Sequence, residues 1–155
     1  MLSYVYCTAQ VIDSSAQWAW MGGSHSSVNQ KGVFGTPGSF APGNIPGGRQ
    51  SGVSWKDKEG NFWVFGGLGQ PPGGSASNGV LNDLWKFDVS LQQWALMNGS
   101  TAANEINKPG VAGGIGVEDI MYRPAGRSNA STWVDTAGNL WLFGGNSSGF
   151  FNDLW

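Results

Sequence analysis

One pattern is written twice in this chain, and a repeat constrains architecture more tightly than any other feature of a sequence. The first copy opens at Gly48-Arg49. It passes through Trp55, Asp57 and Gly60 and ends in Phe62-Trp63-Val64-Phe65-Gly66-Gly67. The second opens at Gly126-Arg127. It passes through Trp133, Asp135 and Gly138 and ends in Leu140-Trp141-Leu142-Phe143-Gly144-Gly145. After a spacer, each Gly-Gly pair leads to Asn-Asp-Leu-Trp, at residues 82–85 and again at 152–155.

Composition agrees with a repeat of short strands. The 155 residues include 26 Gly and 9 Trp, and only 12% are charged. Gly or Pro interrupts almost every window in which a helix would have to propagate. The net charge is −2, and the eight Lys and Arg are scattered, whereas a phosphate footprint needs them clustered. Nucleic acid is therefore not an expected partner. No run of about 18 apolar residues is present, so no membrane span is expected. Cys7 is the only cysteine, which excludes an internal disulfide and reads as a small apolar residue beside a strand. The opening Met1 to Cys7 lacks a basic segment followed by an apolar run of signal length. If the intact protein is secreted or displayed on a cell surface, its signal is not in this stretch.

Each copy predicts four short strands. The first is Gly52–Lys56, matched by Ala130–Val134. A turn with Asp and Gly follows (Asp57 to Gly60; Asp135 to Gly138). The second strand is Phe62–Phe65, matched by Leu140–Phe143; it is apolar on both faces, as in a strand covered on both sides. Paired glycines then allow positive φ and the close approach of a neighbouring backbone. The third strand, Leu84–Asp88, alternates, with Trp85 and Phe87 on one face. The fourth is Gln93–Met97, and an earlier copy of it appears as Gln17-Trp18-Ala19-Trp20-Met21. The expected organisation is the end of a preceding unit (1–21), a long connection (22–48), a complete unit (49–97), a second long connection (98–126) and a truncated unit (127–155). The connections are rich in Gly, Ser, Pro and Asn. Together with the spacer at 68–79 they carry most of the difference between the copies. Connections this long are uncommon in compact domains unless they carry function or disorder.

These residues resemble kelch repeats, and most closely a bacterial kelch group with long Gly/Pro-rich connections and Asn-Asp-Leu-Trp motifs. The matching positions are Arg49, Trp55, Asp57, Gly60, Gly66, Gly67, Trp85 and Trp94 in the first copy. In the second they are Arg127, Trp133, Asp135, Gly138, Gly144, Gly145 and Trp155. Asp83 and Asp153 recur beside them. The resemblance covers roughly residues 12–155. It implies an all-β fold: about two blades of four-stranded antiparallel sheet from a kelch-type β-propeller. A kelch unit is about 50 residues; the spacing from Gly48 to Gly126 is longer, and the surplus lies in the connections. Propellers close with about 4–8 blades. The resemblance therefore implies a fragment whose remaining blades belong to a longer chain. Alone, it would leave Trp63, Phe65, Trp141 and Phe143 exposed.

Some relatives with this fold are copper oxidases that hold the metal with Tyr and His and carry a Tyr–Cys crosslink. This chain has a single histidine, His25, with Tyr4, Tyr6, Tyr122 and Cys7, so the ligand set is incomplete and no cofactor or metal is expected. Sialidase-type Asp boxes fail by one residue at Asp57 to Gly60 and at Asp135 to Gly138. No catalytic residue is assigned. Arg49 and Arg127 open first strands next to long loops. Their guanidinium forks suit either loop carbonyls between units or a carboxylate or sugar ligand. Asp83 and Asp153 read as turn caps. Glu105, Glu118 and Asp119 match no calcium loop. Eight of the nine tryptophans fall at strand positions and read as core; Trp20 is the candidate for exposure and ligand contact. Three glycosylation-type sequons, at Asn98, Asn129 and Asn146, are expected by chance in so Asn- and Ser-rich a chain. The expected function is a binding module that uses its long loops to recognise a protein or glycan. The alternative is part of a kelch-fold carbohydrate-active enzyme, a mutarotase or oxidase, with its catalytic residues in other blades.

Overall fold

The computed structural model describes residues 18–70, 78–100, 115–119 and 121–155. Expectations for Tyr4 to Val11, Cys7 and Glu105 fall outside them. The described residues form an all-β structure without a helix. In chain order the strands are β1 (Arg49–Gln50), β2 (Val53–Lys56), β3 (Phe62–Phe65), β4 (Leu68–Gly69), β5 (Gly79–Val80), β6 (Leu84–Asp88), β7 (Gln93–Asn98), β8 (Ser131–Val134) and β9 (Leu140–Phe143).

The main sheet is an antiparallel meander in the order β2-β3-β6-β7. Trp55 lies opposite Trp63, Val64 opposite Trp85 and Phe65 opposite Leu84. The second copy repeats this register. Trp133 lies opposite Trp141 across β8 and β9, and Phe143 opposite Leu154, the counterpart of Leu84. Trp155 exchanges both backbone bonds with Leu142, each 2.9 Å. The strands predicted at Phe62–Phe65, Leu84–Asp88 and Leu140–Phe143 form with those bounds. The first strands each begin one residue later than expected, and the fourth extends to Asn98.

The Asp turns follow from short-range chemistry. Asp57 Oδ1 accepts the backbone N–H of Asn61 (2.8 Å), and Oδ2 accepts the indole N–H of Trp63 (2.9 Å). Asp135 does the same with Asn139 and Trp141, both at 2.9 Å. Lys86 adds an ion pair to Asp57 at 3.3 Å. Burial pushes the Asp57 carboxyl up, but the hydrogen bonds from Trp63, Asn61 and Lys86 outweigh it and bring its pKa down to about 2. Asp135 is held low chiefly by the Trp141 and Asn139 hydrogen bonds. A depressed native pKa stabilises the fold above the ordinary carboxylate pKa, and that contribution is lost as pH falls through the native value. The melting temperature is therefore expected to hold steady above about pH 5 and to fall between about pH 4 and 2. A calorimetric pH series checks this, and Asp57→Asn should flatten the acid limb.

The two copies pack on each other through β2 and β8. Trp55 donates its indole N–H to the carbonyl of Trp141 (2.9 Å), and Asn129 N–H bonds Ser51 O (3.0 Å). Trp55, Phe65 and Leu142 make the core between them, with Leu84, Leu140 and Trp155 against it. This corrects the expectation that the sheet faces stand open. Phe65 is 4% exposed and Trp63 half-buried, because the second unit covers their face; Trp141 is half-buried against Trp133 of its own unit, and Phe143 remains exposed. The tryptophans need a correction too. Trp55 and Trp85 are buried, but Trp18 is wholly exposed and Trp133 is 45% exposed.

Gly66 and Gly67 have φ of 62° and 95°, and Gly144 and Gly145 repeat this at 68° and 89°. A Cβ on Gly66 would lie 2.6 Å from the carbonyl oxygen of Arg127 in the other unit. The predicted close approach is thus an inter-unit contact. A small sheet, β1-β4-β5, was not anticipated. Its strands are two residues long and carry no alternation to read.

Candidate functional site

The first cluster that deserves a functional reading is built around Arg49. Its Nη1 and Nη2 donate to the two carboxylate oxygens of Asp83, both at 2.7 Å. Its Nε donates to Gly47 O and its Nη1 also to Gly66 O, each at 3.1 Å. Asp83 Oδ2 also accepts the indole N–H of Trp85 at 2.7 Å. The second unit repeats every one of these bonds. Arg127 pairs with both oxygens of Asp153, donates to Ala125 O and Gly144 O, and Asp153 accepts from Trp155. The Arg127 hydrogen bond holds the Asp153 carboxyl below the usual carboxylate range against the opposing effect of burial. Arg127 is 1% exposed and lies 4.1 Å from the Phe151 ring centroid. A paired fork of this kind is strong and geometrically specific. It locks the opening of each unit to its third strand and to the Gly-Gly corner. The sequence predicts turn caps at Asp83 and Asp153. Their carboxylates instead serve the Arg and Trp side chains, because the chain returns Asp-Leu-Trp beside the Gly-Gly carbonyls.

The second cluster is a cleft of about 900 Å³. It is lined by residues 23–31 of the first long connection, by Ile45 and Pro46, by the β1–β4 edge and by Asn78 after the spacer. The connection is anchored rather than free. Val33 and Ile45 exchange backbone bonds (2.8 and 2.9 Å), and Gly48 N–H reaches Gln30 O (2.7 Å). Farther along, Gly38 N–H bonds Leu96 O on β7, and buried Asn44 donates to Trp94 O. Phe34 packs on Trp85 with ring centroids 5.2 Å apart. The polar lining includes His25, Asn29, Gln30, Lys31, Arg49, Gln50 and Asn78, and among the described residues no Asp or Glu contributes. Asn78 accepts a hydrogen bond from Gln70 at 2.7 Å.

The structure brings Trp20 and Arg49 to this one cleft. Trp20 stands at the rim, 64% exposed and edge-on to His25 with centroids 5.1 Å apart. Arg49 forms part of the wall while engaged with Asp83. Arg127 belongs to the other unit and is sealed from solvent. In the sequence Lys31 is a landmark echoed by Lys108, Gln50 lies inside the repeated block, and Asn78 is marked only by the variability of its segment. Asp119 caps its own loop by accepting Met121 N–H at 2.8 Å. Among the described residues, no three His, Cys, Asp or Glu side chains stand together as a metal site, and no helix is long and apolar enough to cross a membrane. No family model matches the chain, and no curated protein matches it.

Proposed function

We propose that this chain is part of a kelch-type β-propeller that acts as a binding module, and that its ligand is an acidic glycan held in the cleft formed by the first long connection. The observation that carries this reading is the origin of the cleft walls. They come largely from the first long connection and the spacer, which differ between the two copies, and they rest on the β1–β4 edge. Loops on a rigid repeat scaffold are the usual place for recognition.

The lining chemistry supports the ligand class. Amide side chains from Gln30, Gln50 and Asn78 offer donors and acceptors of the kind that pair with sugar hydroxyls. Lys31 brings a positive charge, and among the described residues no carboxylate lines the wall to oppose an anionic group. In a chain of net charge −2 this local bias favours a carboxylate-bearing sugar over a neutral one. A glycan array that includes uronate oligosaccharides tests the reading. Binding to acidic members, weakened roughly tenfold or more by Lys31→Ala, is the expected outcome. Silence across the array, or equal binding by Lys31→Ala, would refute it.

A further inference from the structure

The chain contains two Asn-Gly steps, Asn78-Gly79 and Asn98-Gly99. At such a step the chain can react with itself, because glycine has no side chain to shield its backbone nitrogen from the Asn carboxamide. Exposure alone favours the first step: Asn78 is exposed and Asn98 is half-buried. The hydrogen bonds favour the second. Asn78 directs its carboxamide elsewhere, with Oδ1 accepting from the Gln70 side chain at 2.7 Å. Gly79 lies within β5 opposite Gly69, and Leu81 N–H, two residues on, bonds Gly67 O at 2.8 Å. By strand alternation the Gly79 N–H points into the same ladder. Gly99 instead lies just beyond β7, and its N–H donates to Asn98 Oδ1 at 2.6 Å. The carbonyl carbon Cγ stands one bond behind that oxygen. The Gly99 nitrogen is therefore within about 3–3.5 Å of it, the separation of a near-attack arrangement.

We propose that Asn98-Gly99 is a self-modification site, at which the half-buried Asn98 deamidates through a cyclic imide ahead of the exposed Asn78. Rotation of the carboxamide about Cβ–Cγ turns the face of Cγ toward the Gly99 nitrogen. The N–Cγ bond forms and the Cγ–Nδ2 bond breaks, and the Gly99 amide proton departs with Nδ2 as ammonia. Water then adds to either imide carbonyl. Opening at Cγ gives aspartate, and opening at the backbone carbonyl gives isoaspartate; one water is consumed and one ammonia released. The fold holds the reactive pair in place. Gly99 has a φ of 109°, and a Cβ there would lie 2.5 Å from Asn82 O and 2.6 Å from Asp83 Cα. A bulkier residue, which would shield the nitrogen, has no room. Isoaspartate adds a carbon to the main chain at this crowded point and displaces it against Asn82 and Asp83. Asp83 is the carboxylate that grips Arg49, so conversion loosens the fastening of the first unit. The proposal does not depend on the glycan reading.

Ageing the folded chain in mildly alkaline water enriched in heavy oxygen, followed by peptide mapping with mass spectrometry, tests it. Asn98 is expected to take up the label at least about fivefold faster than Asn78. In denaturant neither set of hydrogen bonds survives, and the two rates should converge. The melting temperature should fall in step with conversion. Asn98→Gln, whose side chain is too long to close the same ring, should keep its melting temperature through the same ageing. The rate ratio is read in the unsubstituted chain and so does not require that variant to fold. Asn78 converting as fast as Asn98 in the folded chain, or a ratio that denaturant leaves unchanged, would overturn the site. A melting temperature that stays constant while Asn98 converts would overturn its effect on the unit.

Discussion

Asp83→Ala is expected to lower the unfolding free energy by about 3–5 kcal/mol, the cost of leaving a buried partner charge uncompensated. The Arg49 and Asp83 side chains are only 10% and 5% exposed, and the pair is bidentate. Removing the carboxylate strands the guanidinium against the Gly47 and Gly66 carbonyls and takes the acceptor from the buried Trp85 indole. The matching change Asp153→Ala should cost less. Asp153 is 38% exposed, so water replaces part of what it supplies to Arg127. Denaturant titrations of the two variants measure the difference. A loss below about 1 kcal/mol at Asp83 would mean that the paired fork does not hold the unit together, and equal losses would mean that solvent does not offset the change at Asp153.

Gly66→Ala should destabilise by at least about 2 kcal/mol, through two separable effects. A left-handed φ costs a non-glycine residue about 1–2 kcal/mol. The added methyl would also lie 2.6 Å from Arg127 O and 3.1 Å from Leu81 O, both backbone atoms that cannot swing aside. The first contact crosses between the units, so the substitution pries apart β2 and β8. Gly43→Ala is the control, since nothing lies within 4 Å of its added carbon and its φ is not left-handed. Thermal melts of the pair decide the matter: a Gly66→Ala chain as stable as Gly43→Ala would remove the inter-unit contact from the account.

Much of this fold was legible because its signals are local. Alternation in Leu84–Asp88, the apolar run Phe62–Phe65 and the Gly-Gly corners are readable within a few residues, and the structure has them there. The long-range pairings were less so. Arg49 and Asp83 stand 34 residues apart, and nothing in either neighbourhood names the other. Their recurrence as Arg127 and Asp153 was visible, but recurrence shows a shared role without showing a shared bond. Strands β1, β4 and β5 were missed because two residues hold no period. The long connection, Trp20 and Arg49 were legible as places for recognition, but the cleft that joins them was not. Its lining is drawn from segments of unremarkable composition, and only folding sets Lys31, Gln50 and Asn78 around one space.

The central claim is that both copies build the same unit, fastened by the same bonds. The nine tryptophans report on it directly through indole N–H exchange followed by nuclear magnetic resonance. The indoles of Trp63 and Trp85 are bound to Asp57 and Asp83, and those of Trp141 and Trp155 to Asp135 and Asp153. All four should exchange slowly, with protection in matched pairs, while the exposed Trp20 exchanges at the rate of free indole. If Trp141 and Trp155 exchange as fast as Trp20 while Trp63 and Trp85 are protected, the second copy does not repeat the first, and the account fails.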